Sequence, residues 1–393
     1  MYIARVVERN PFTFGSLACG DAFVDREDEL RALTSDLRGG RDVLLLAPRR
    51  YGKSSLALRA VQEAAREGIL VATCDLTRTP TKERFAAALA KTIDDDLASP
   101  PGQPRDRAAG LFRGLPVRPT IELDPDDGAL SFSFRASHAD GAIDGTIERL
   151  LELPGRIAAE RERQVAILFD EFQEIVALDP RLPDLMRSVF QAQPDVAHVY
   201  VGSRRHARHA IFDDRDGALW RGARRMELGR LPHDTLAGHL RSRFAATARD
   251  ADDEAVSRIL EITDGHPYAT QELAFFTWAH VPRGHAARAA DVEAGLVDVL
   301  RAEHNNLARL WDAATRNERL VLLALRAGAQ SLYAEETRER AGLPAPTFVQ
   351  RAVTSLVRED VIEKGPDGRY RLAEPFLAEW LERKASTRLE GDA

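Results

Sequence analysis

Short apolar runs alternate with longer amphipathic stretches over residues 20–230 of this chain. Runs such as Val43–Leu46 and Val165–Phe169 contain no polar break, which is typical of strands buried on both faces of a sheet. The stretches Ser54–Glu67 and Thr81–Leu97 repeat apolar residues at three- and four-residue spacing and predict helices. Further strands are predicted at residues 69–76, 198–203 and 226–228. Strands that alternate with helices predict an α/β fold, with a parallel sheet covered by helices on both faces.

The alternating pattern stops between residues 98 and 145. Two short runs there, Thr120–Leu123 and Leu130–Phe134, flank a segment rich in Asp, Pro and Gly and predict a β-hairpin inserted at the edge of the sheet. From residue 231 to residue 314 the pattern is helical only. This region is therefore predicted to be a small helical bundle or lid.

Residues 315–384 have a third pattern, in which three helical stretches precede two short strands within Val361–Leu372. The strands are joined by Gly365-Pro366-Asp367-Gly368, a composition that favours a tight turn. Three helices and a terminal hairpin predict a winged helix-turn-helix domain. The sequence thus predicts four parts: a core domain at 1–230, a lid at 231–314, a winged helix at 315–384 and a tail at 385–393.

The composition favours a large cytoplasmic protein with no membrane partner. Its 393 residues predict two or three domains, and 44% hydrophobic residues are sufficient for their cores. No apolar run approaches the roughly 18 residues of a membrane span, and Met1–Arg5 lacks the apolar segment of a secretory signal. Cys19 and Cys74 lack metal-ligand spacing and are expected to be buried, reduced thiols. The net charge of −7 argues against a protein that is basic overall, but it allows a local basic patch.

A candidate phosphate-binding loop follows the first predicted strand. The segment Ala47-Pro48-Arg49-Arg50-Tyr51-Gly52-Lys53-Ser54-Ser55 fits the pattern G-x-x-x-x-G-K-[ST], except that Ala47 occupies the first glycine position. In such a loop the backbone N–H groups and the helix N-terminus face the phosphates. Lys53 is then predicted to reach the outer phosphates, and the Ser54 hydroxyl to bind Mg²⁺. The alternative is a chance Gly-Lys-Ser at an ordinary helix start.

Two carboxylates, Asp170 and Glu171, follow the buried run Val165–Phe169. Open α/β sheets bind their ligands at the carboxyl ends of the strands, which is where these residues are predicted to lie. Asp170 is predicted to complete the Mg²⁺ shell, and Glu171 to orient and deprotonate the attacking water. The alternative is a solvated acidic turn after a core strand. Together with the phosphate loop, the pair predicts binding of ATP and Mg²⁺.

The chain resembles, nearly end to end, the archaeal-type ATPase family within the AAA+/STAND group of P-loop ATPases. Besides the phosphate loop, the resemblance rests on five segments: Asn10–Gly15, Phe23–Leu30, Phe169–Glu174, Tyr200–Arg204 and Thr263–Pro267. It implies that Val24 and Arg26 lie on the adenine side of the pocket, where Asp25 replaces the family's usual glycine. It also implies that Ser203 or Arg204 senses the γ-phosphate. In the same way it implies that Pro267 packs near the base.

Each of these three sites has a plain structural alternative. Arg26 and Glu27 could be a charge pair at the start of a helix. Ser203 and Arg204 could belong to a solvated loop that follows a strand. The segment Gly265–Pro267 could be an ordinary helix stop.

The sequence predicts a Mg²⁺-dependent ATPase whose nucleotide state controls the lid and the winged helix, in a regulatory or DNA-associated role. The alternative is a nucleotide-gated switch or transcription regulator with little or no turnover. Duplex DNA is a possible partner, with Pro346–Arg358 as recognition helix and Lys364–Arg371 as wing. Residues 315–384 hold 12 Lys/Arg against 11 Asp/Glu, so a clear basic face is lacking, and a winged helix used for protein contacts is the alternative.

Residues 204–225 hold seven arginines and three aspartates. AAA+ relatives carry an arginine finger in this region, so the resemblance implies that Arg221, Arg224 or Arg225, with Arg221 favoured, reaches a neighbour's γ-phosphate. It also implies a resting monomer that self-associates when nucleotide binds. The alternative is a solvated basic surface.

Overall fold

A computed structural model describes residues 9–16, 23–98, 111–123, 130–134, 141–203, 222–365 and 367–391. The chain divides into two compact units, one of which spans Arg26–Gly229. The other joins the residues up to Asp25 to those from Arg230 onwards. We call the first the core domain and the second the helical unit. The predicted lid and winged helix both fall within the helical unit.

A five-stranded parallel sheet forms the centre of the core domain. The strands of this domain are β1 Val43–Ala47, β2 Leu70–Asp75, β3 Thr120–Leu123, β4 Leu130–Ser133, β5 Val165–Asp170, β6 Val196–Ser203 and β7 Arg224–Glu227. The sheet has the order β2-β5-β6-β1-β7, while β3 and β4 pair separately. Its central strands β5, β6 and β1 are buried almost throughout, which explains their continuous apolar runs. The predicted parallel sheet is confirmed.

In the part of the core domain that the structure describes, six α-helices have defined bounds. They are α1 Glu27–Arg38, α2 Lys53–Arg66, α3 Lys82–Thr92, α4 Ala142–Arg161, α5 Gln173–Leu178 and α6 Leu182–Phe190. The hydroxyl of Thr81 caps α3 by accepting the N–H of Arg84 at 3.3 Å. This helix ends earlier than the sequence predicts, and a π turn follows at Ile93–Ala98. In that turn the Asp96 carboxylate accepts the backbone N–H of Thr73 on β2 at 3.0 Å, which holds the turn against the sheet.

The predicted hairpin forms a two-stranded sheet of its own. Its strands β3 and β4 are antiparallel, with Thr120 opposite Ser133 and Leu123 opposite Leu130. Phe132 packs edge-on against Phe112, with ring centroids 5.5 Å apart, and both side chains are buried in the apolar core of this domain. The hairpin therefore adds to the core without extending the parallel sheet.

Within the described residues, the helical unit consists of helices and two short strand pairs. Its elements are α7 His233–Ala245, β8 Asp250–Ala251, α8 Asp253–Thr263, α9 Pro267–His280, β9 Ala286–Ala287, α10 Ala289–Ala302, α11 His304–Ala313, α12 Arg316–Arg326, α13 Glu335–Ala341, α14 Pro346–Arg358, β10 Ile362–Lys364, β11 Tyr370–Leu372 and α15 Phe376–Gly391. The strand pairs are β8–β9 and β10–β11. Helices α12–α14 and the antiparallel pair β10–β11 are the elements that the sequence predicts for this region. Their assignment as a winged helix stays a prediction. None of the helices in the described ranges combines the length and apolar character needed to cross a lipid bilayer.

A buried arginine joins the α8–α9 turn to the β10–β11 hairpin within this unit. The Arg230 guanidinium donates to the carboxylate of Glu363 at 2.7 Å and to the backbone oxygen of Leu372 at 2.9 Å. It also donates to the carboxylate of Asp264 at 3.0 Å, just after α8. Arg371 contacts the same two carboxylates, Glu363 at 2.9 Å and Asp264 at 3.3 Å. The turn and the hairpin are therefore held together by a network of charge-assisted hydrogen bonds.

Candidate functional site

The predicted phosphate loop leads from β1 into α2 at the carboxyl edge of the sheet. Arg50 (φ 67°) and Gly52 (φ 80°) both have left-handed backbone conformations, and α2 begins directly afterwards at Lys53. Pro48, Tyr51 and Ser55 are buried, whereas the side chains of Arg49 and Arg50 are exposed. A tight turn at a helix N-terminus presents backbone N–H groups to an anion.

The register of the sheet brings the predicted sensor strand next to this loop. Ala47, the last residue of β1, lies opposite Ser203, the last residue of β6. On the other side of β5, Asp170 lies opposite Asp75 of β2. The loop, the acidic pair and Ser203 therefore follow or end neighbouring parallel strands at one edge, as the sequence predicts for a ligand site.

Lys53 is a buried cation that contacts the acidic motif. Only 6% of its surface is exposed, and its Nζ lies 3.6 Å from Oε1 of Glu171. A buried ammonium group requires a partner of opposite charge. The two residues that the sequence assigns to phosphate binding and to base catalysis are thus ion-paired across 118 positions of chain, from 53 to 171.

Ser54 and Asp170 form the part of the site that could hold Mg²⁺. The Ser54 hydroxyl is hydrogen-bonded to the Asp170 carboxylate, which also accepts the backbone N–H of Glu171 at 2.9 Å. Burial raises the pKa of Asp170 above its ordinary value, although both hydrogen bonds act in the opposite direction. A desolvated carboxylate beside a hydroxyl fits a small, hard cation. Mg²⁺ in such sites is held by one or two protein oxygens together with phosphate oxygens and water.

No complete cage of protein ligands accompanies these two oxygens. Within the described ranges, no cluster of three His, Cys, Asp or Glu side chains could hold a metal ion.

Glu171 has a second partner, to which the sequence analysis assigns no role. Its backbone is left-handed (φ 53°), and its Oε2 accepts a hydrogen bond from Nε2 of Gln173. Oε1 of Gln173 accepts the backbone N–H of Ser203 at 3.3 Å. One buried amide therefore connects the predicted base to the end of β6. The sequence signal for Gln173 is its place in the acidic motif Phe169–Glu174. That motif does not indicate its partner Ser203 on β6, which lies 30 residues further along the chain.

Arg26 is held inside the core domain at the start of α1. Its backbone is left-handed (φ 75°), and its guanidinium is ion-paired with Glu29 at 2.9 Å. It also donates to the backbone oxygen of Gly229, just beyond β7. A charge pair at the helix start is thus present, with Glu29 in the place expected for Glu27. Contact of Arg26 with an adenine base stays a prediction.

Val24 and Pro267, the other residues expected near the base, belong to the helical unit. Val24 is partly buried against the apolar core of that unit. Pro267 is the first residue of α9, which His266 caps by accepting the N–H of Ala269 at 3.2 Å. Gly265 (φ 73°) makes the preceding turn. Proximity of either residue to a base stays a prediction.

The arginines between β6 and β7 are described only in part. Arg204 and Arg221 lie outside the described residues. Arg224 is ion-paired with the buried carboxylate of Asp36 at 2.7 Å, and Arg225 with Glu227 at 2.6 Å. Each of these two guanidinium groups therefore already has a carboxylate partner within the core domain.

Solved structures with the same arrangement identify the fold. A Walker-type ATPase of Pyrococcus abyssi is similar with a TM-score of 0.64 and 17% identity, covering 95% of this chain and 99% of that one. The ORC2 protein of Aeropyrum pernix, in ADPNP–ADP complexes, is similar with a TM-score of 0.56 and 16% identity, covering 98% of this chain and 99% of that one. The chain has the fold of this Walker-type ATPase and of this ORC2 protein. No family model and no curated protein sequence matches it.

Proposed function

We propose that this chain is a Mg²⁺-dependent ATPase whose nucleotide state is transmitted to the helical unit. The observation that carries the proposal is the meeting of Lys53, Ser54, Asp170 and Glu171 at one edge of the parallel sheet, through the Ser54–Asp170 hydrogen bond and the Lys53–Glu171 ion pair. These are the groups that phosphoryl transfer to water requires. The likeness to ATPases of known structure supports the same conclusion.

Each group has a distinct task in this mechanism. Lys53 offsets the charge of the outer phosphates, and Mg²⁺ held by Ser54 and Asp170 would neutralise charge on the β- and γ-phosphate oxygens. Glu171 accepts the proton of the attacking water. The water oxygen bonds to the γ-phosphorus as the bond from that phosphorus to the oxygen of ADP breaks. The side chain of Glu171 is about one third exposed, so water can reach it.

The network around Arg230 supports transmission of the nucleotide state within the helical unit. It connects the turn just before Pro267, the residue predicted to lie near the base, to the β10–β11 hairpin. Charge-assisted hydrogen bonds to Asp264 and Glu363 make the turn and the hairpin move as one piece. A shift of the turn on nucleotide exchange would therefore displace the hairpin as well.

Hydrolysis is tested by two substitutions and a matched control. Lys53→Ala should abolish nucleotide binding, whereas Glu171→Gln should keep binding and lose about 10²–10⁴-fold in turnover, because only the base is removed. Glu174→Gln, an exposed carboxylate three residues further along, should leave both unchanged. Steady-state phosphate release with Mg²⁺ or with EDTA, together with fluorescent-nucleotide binding, measures both quantities. Equal turnover in Glu171→Gln and wild type would refute the assignment.

A second candidate function, nucleotide-dependent contact with duplex DNA, is favoured by the exposed side of α14. Besides the exposed ring of Phe348, that side carries amide, hydroxyl and guanidinium groups and no carboxylate: Thr347, Gln350, Arg351, Thr354 and Arg358. Such groups bind base edges and phosphates. Arg351→Ala should weaken binding to a labelled duplex at low salt, and the exposed Arg316→Ala on α12 should not. Undetectable binding at low ionic strength would favour a protein partner.

A further inference from the structure

Gln173 occupies the space between the predicted base and the predicted sensor strand. Its side chain is 7% exposed. Its amide contacts the Glu171 carboxylate on one side and the Ser203 backbone on the other. We propose that Gln173 is a positioning residue, which fixes the orientation of the Glu171 carboxylate and couples it to the end of β6. This role rests on the proposed hydrolysis and adds a residue to it.

The partners of Gln173 allow only one orientation of its amide. The Nε2 group can only donate, and its partner, the carboxylate of Glu171, can only accept. The Oε1 atom can only accept, and its partner is the N–H of Ser203. A flipped amide would place oxygen against carboxylate and N–H against N–H. Because the amide is fixed at both ends, a movement of the Ser203 backbone would shift the Gln173 side chain and, with it, the Glu171 carboxylate.

The two partners of Glu171 differ in how they respond to ATP. Lys53 is cationic and lies 3.6 Å from Oε1, so the several negative charges of the phosphates compete with Glu171 for it. Gln173 is neutral, so the charge of the phosphates attracts it far less than it attracts Lys53. Once Lys53 turns to the phosphates, the hydrogen bond from Gln173 is the contact that still orients the carboxylate. A base held in one orientation is what an in-line attack by water requires.

The end of β6 is shaped around this amide. A Cβ atom added at Gly202 would lie 3.1 Å from Oε1 of Gln173, closer than ordinary contact. The residue before α5, Phe172, donates its N–H to the Val201 oxygen at 2.8 Å, which ties the start of that helix to the same strand. Backbone and side chain thus fasten Gln173 to β6 independently.

The rival explanation is that Gln173 only satisfies a buried N–H and has no part in turnover. The core domain offers a matched control, because Gln193 is 8% exposed and its Nε2 donates to the Leu151 oxygen at 2.8 Å. Gln173→Met and Gln193→Met each remove one buried amide and keep the length of the side chain. A purely structural role predicts that both variants lower the melting temperature and that both keep the wild-type kcat.

The positioning role predicts a different result. Gln173→Met should lower kcat about 10–100-fold, the loss expected when a catalytic group is displaced by about 1 Å. Its KM and ATP affinity should stay within about twofold, while Gln193→Met keeps the wild-type kcat. Gly202→Ala should lower kcat in the same direction, and it stays informative if Gln173→Met folds poorly. Gly145→Ala, whose Cβ would meet only Pro116 at an ordinary 3.5 Å, is its control.

A double substitution separates the two roles further. If Gln173 acts through Glu171, Gln173→Met should have no additional effect on turnover in the Glu171→Gln background. An equal fold-loss in both backgrounds, or wild-type kcat in Gln173→Met, would overturn the role of Gln173 and leave the proposed hydrolysis intact. If wild type releases no more phosphate than Lys53→Ala, the proposed hydrolysis falls, and the role of Gln173 falls with it.

Discussion

The turn between α8 and α9 offers a quantitative test of the helical unit, because Gly265 is constrained in two ways. Its φ of 73° lies in the left-handed region, and a Cβ there would overlap the backbone oxygen of Leu231. The two backbones cannot move apart freely, since the Leu231 N–H donates to the Gly265 oxygen at 2.8 Å. Gly328, in the same unit, has nearly the same φ of 78° but nothing within 4 Å of the position of its Cβ.

This pair isolates the cost of the overlap. Alanine in a left-handed conformation costs about 1–2 kcal/mol at either position. Only Gly265→Ala adds overpacking against a fixed backbone, about 1–3 kcal/mol. A difference of about 2 kcal/mol corresponds to a Tm about 4–8 °C lower for Gly265→Ala than for Gly328→Ala, on the scale of domains of 150–250 residues.

Thermal unfolding followed by circular dichroism measures both variants against wild type. Urea unfolding should give the same order of stability, with unchanged slopes, since neither substitution alters the surface exposed on unfolding. Equal decreases in Tm for the two variants would refute the reasoning, because the left-handed backbone alone would then account for both. A larger decrease for Gly328→Ala would refute it as well.

Two further predictions concern buried ionisable groups of the core domain. Because burial raises the pKa of Asp170, its ionised form destabilises the metal-free fold. Asp170→Asn should therefore raise Tm in EDTA at pH 7, and it should abolish turnover. The increase in Tm should shrink as the pH falls through the raised pKa of Asp170, because the wild-type carboxyl then becomes neutral. A Tm below that of wild type at pH 7 would contradict the reasoning. Burial raises the pKa of the Cys74 thiol to about 12, so in a Cys19→Ser variant a thiol reagent at pH 8 should label Cys74 only as fast as the chain unfolds. As the control, labelling in denaturant should modify one thiol per chain. Complete labelling within seconds in native buffer would contradict the prediction, because it would show that the Cys74 thiol is accessible in the folded protein.

The central strands and the turn from β1 into α2 could be predicted because their information is local. A strand buried on both faces has a continuous apolar run, and β1 and β5 each have one. Helix α2, which follows this turn, also has a local signal, because apolar residues recur at three- and four-residue spacing within Ser54–Glu67. Likewise, Pro346 at the first position of α14 fixes the start of that helix where the sequence predicts it.

The edge strand β7 was harder to predict, and its bounds were wrong by two residues at the start and one at the end. It begins with Arg224 and Arg225, whose side chains are exposed, and only Met226 is buried. An edge strand hydrogen-bonds on one side only and needs no continuous apolar run. Its arginines carried no strand signal, because they are polar and because the chain is rich in arginine throughout.

The contacts that define the candidate site could not be predicted, because the register of the sheet sets them. The residue types in the acidic motif indicate which groups are present at the end of β5, yet they do not indicate which neighbour each group contacts. Gln173 meets Ser203 only because β5 and β6 are adjacent and in register near their carboxyl ends. A motif on a single strand thus predicts which chemical groups are present, while the pairing of the strands determines which residues those groups contact.

The position of Gln173 next to β6 also explains the role that we propose for it, which its residue type alone does not suggest. Glu171 follows β5 in a left-handed backbone conformation, and its carboxylate has two partners, Lys53 and Gln173. One of these partners, Lys53, is also the group that the proposed mechanism assigns to the phosphates. The site therefore needs a second, uncharged contact if the base is to keep its orientation while the lysine changes partner. Gln173 is that contact, and its attachment to β6 links the orientation of the base to the strand that the sequence assigns to γ-phosphate sensing.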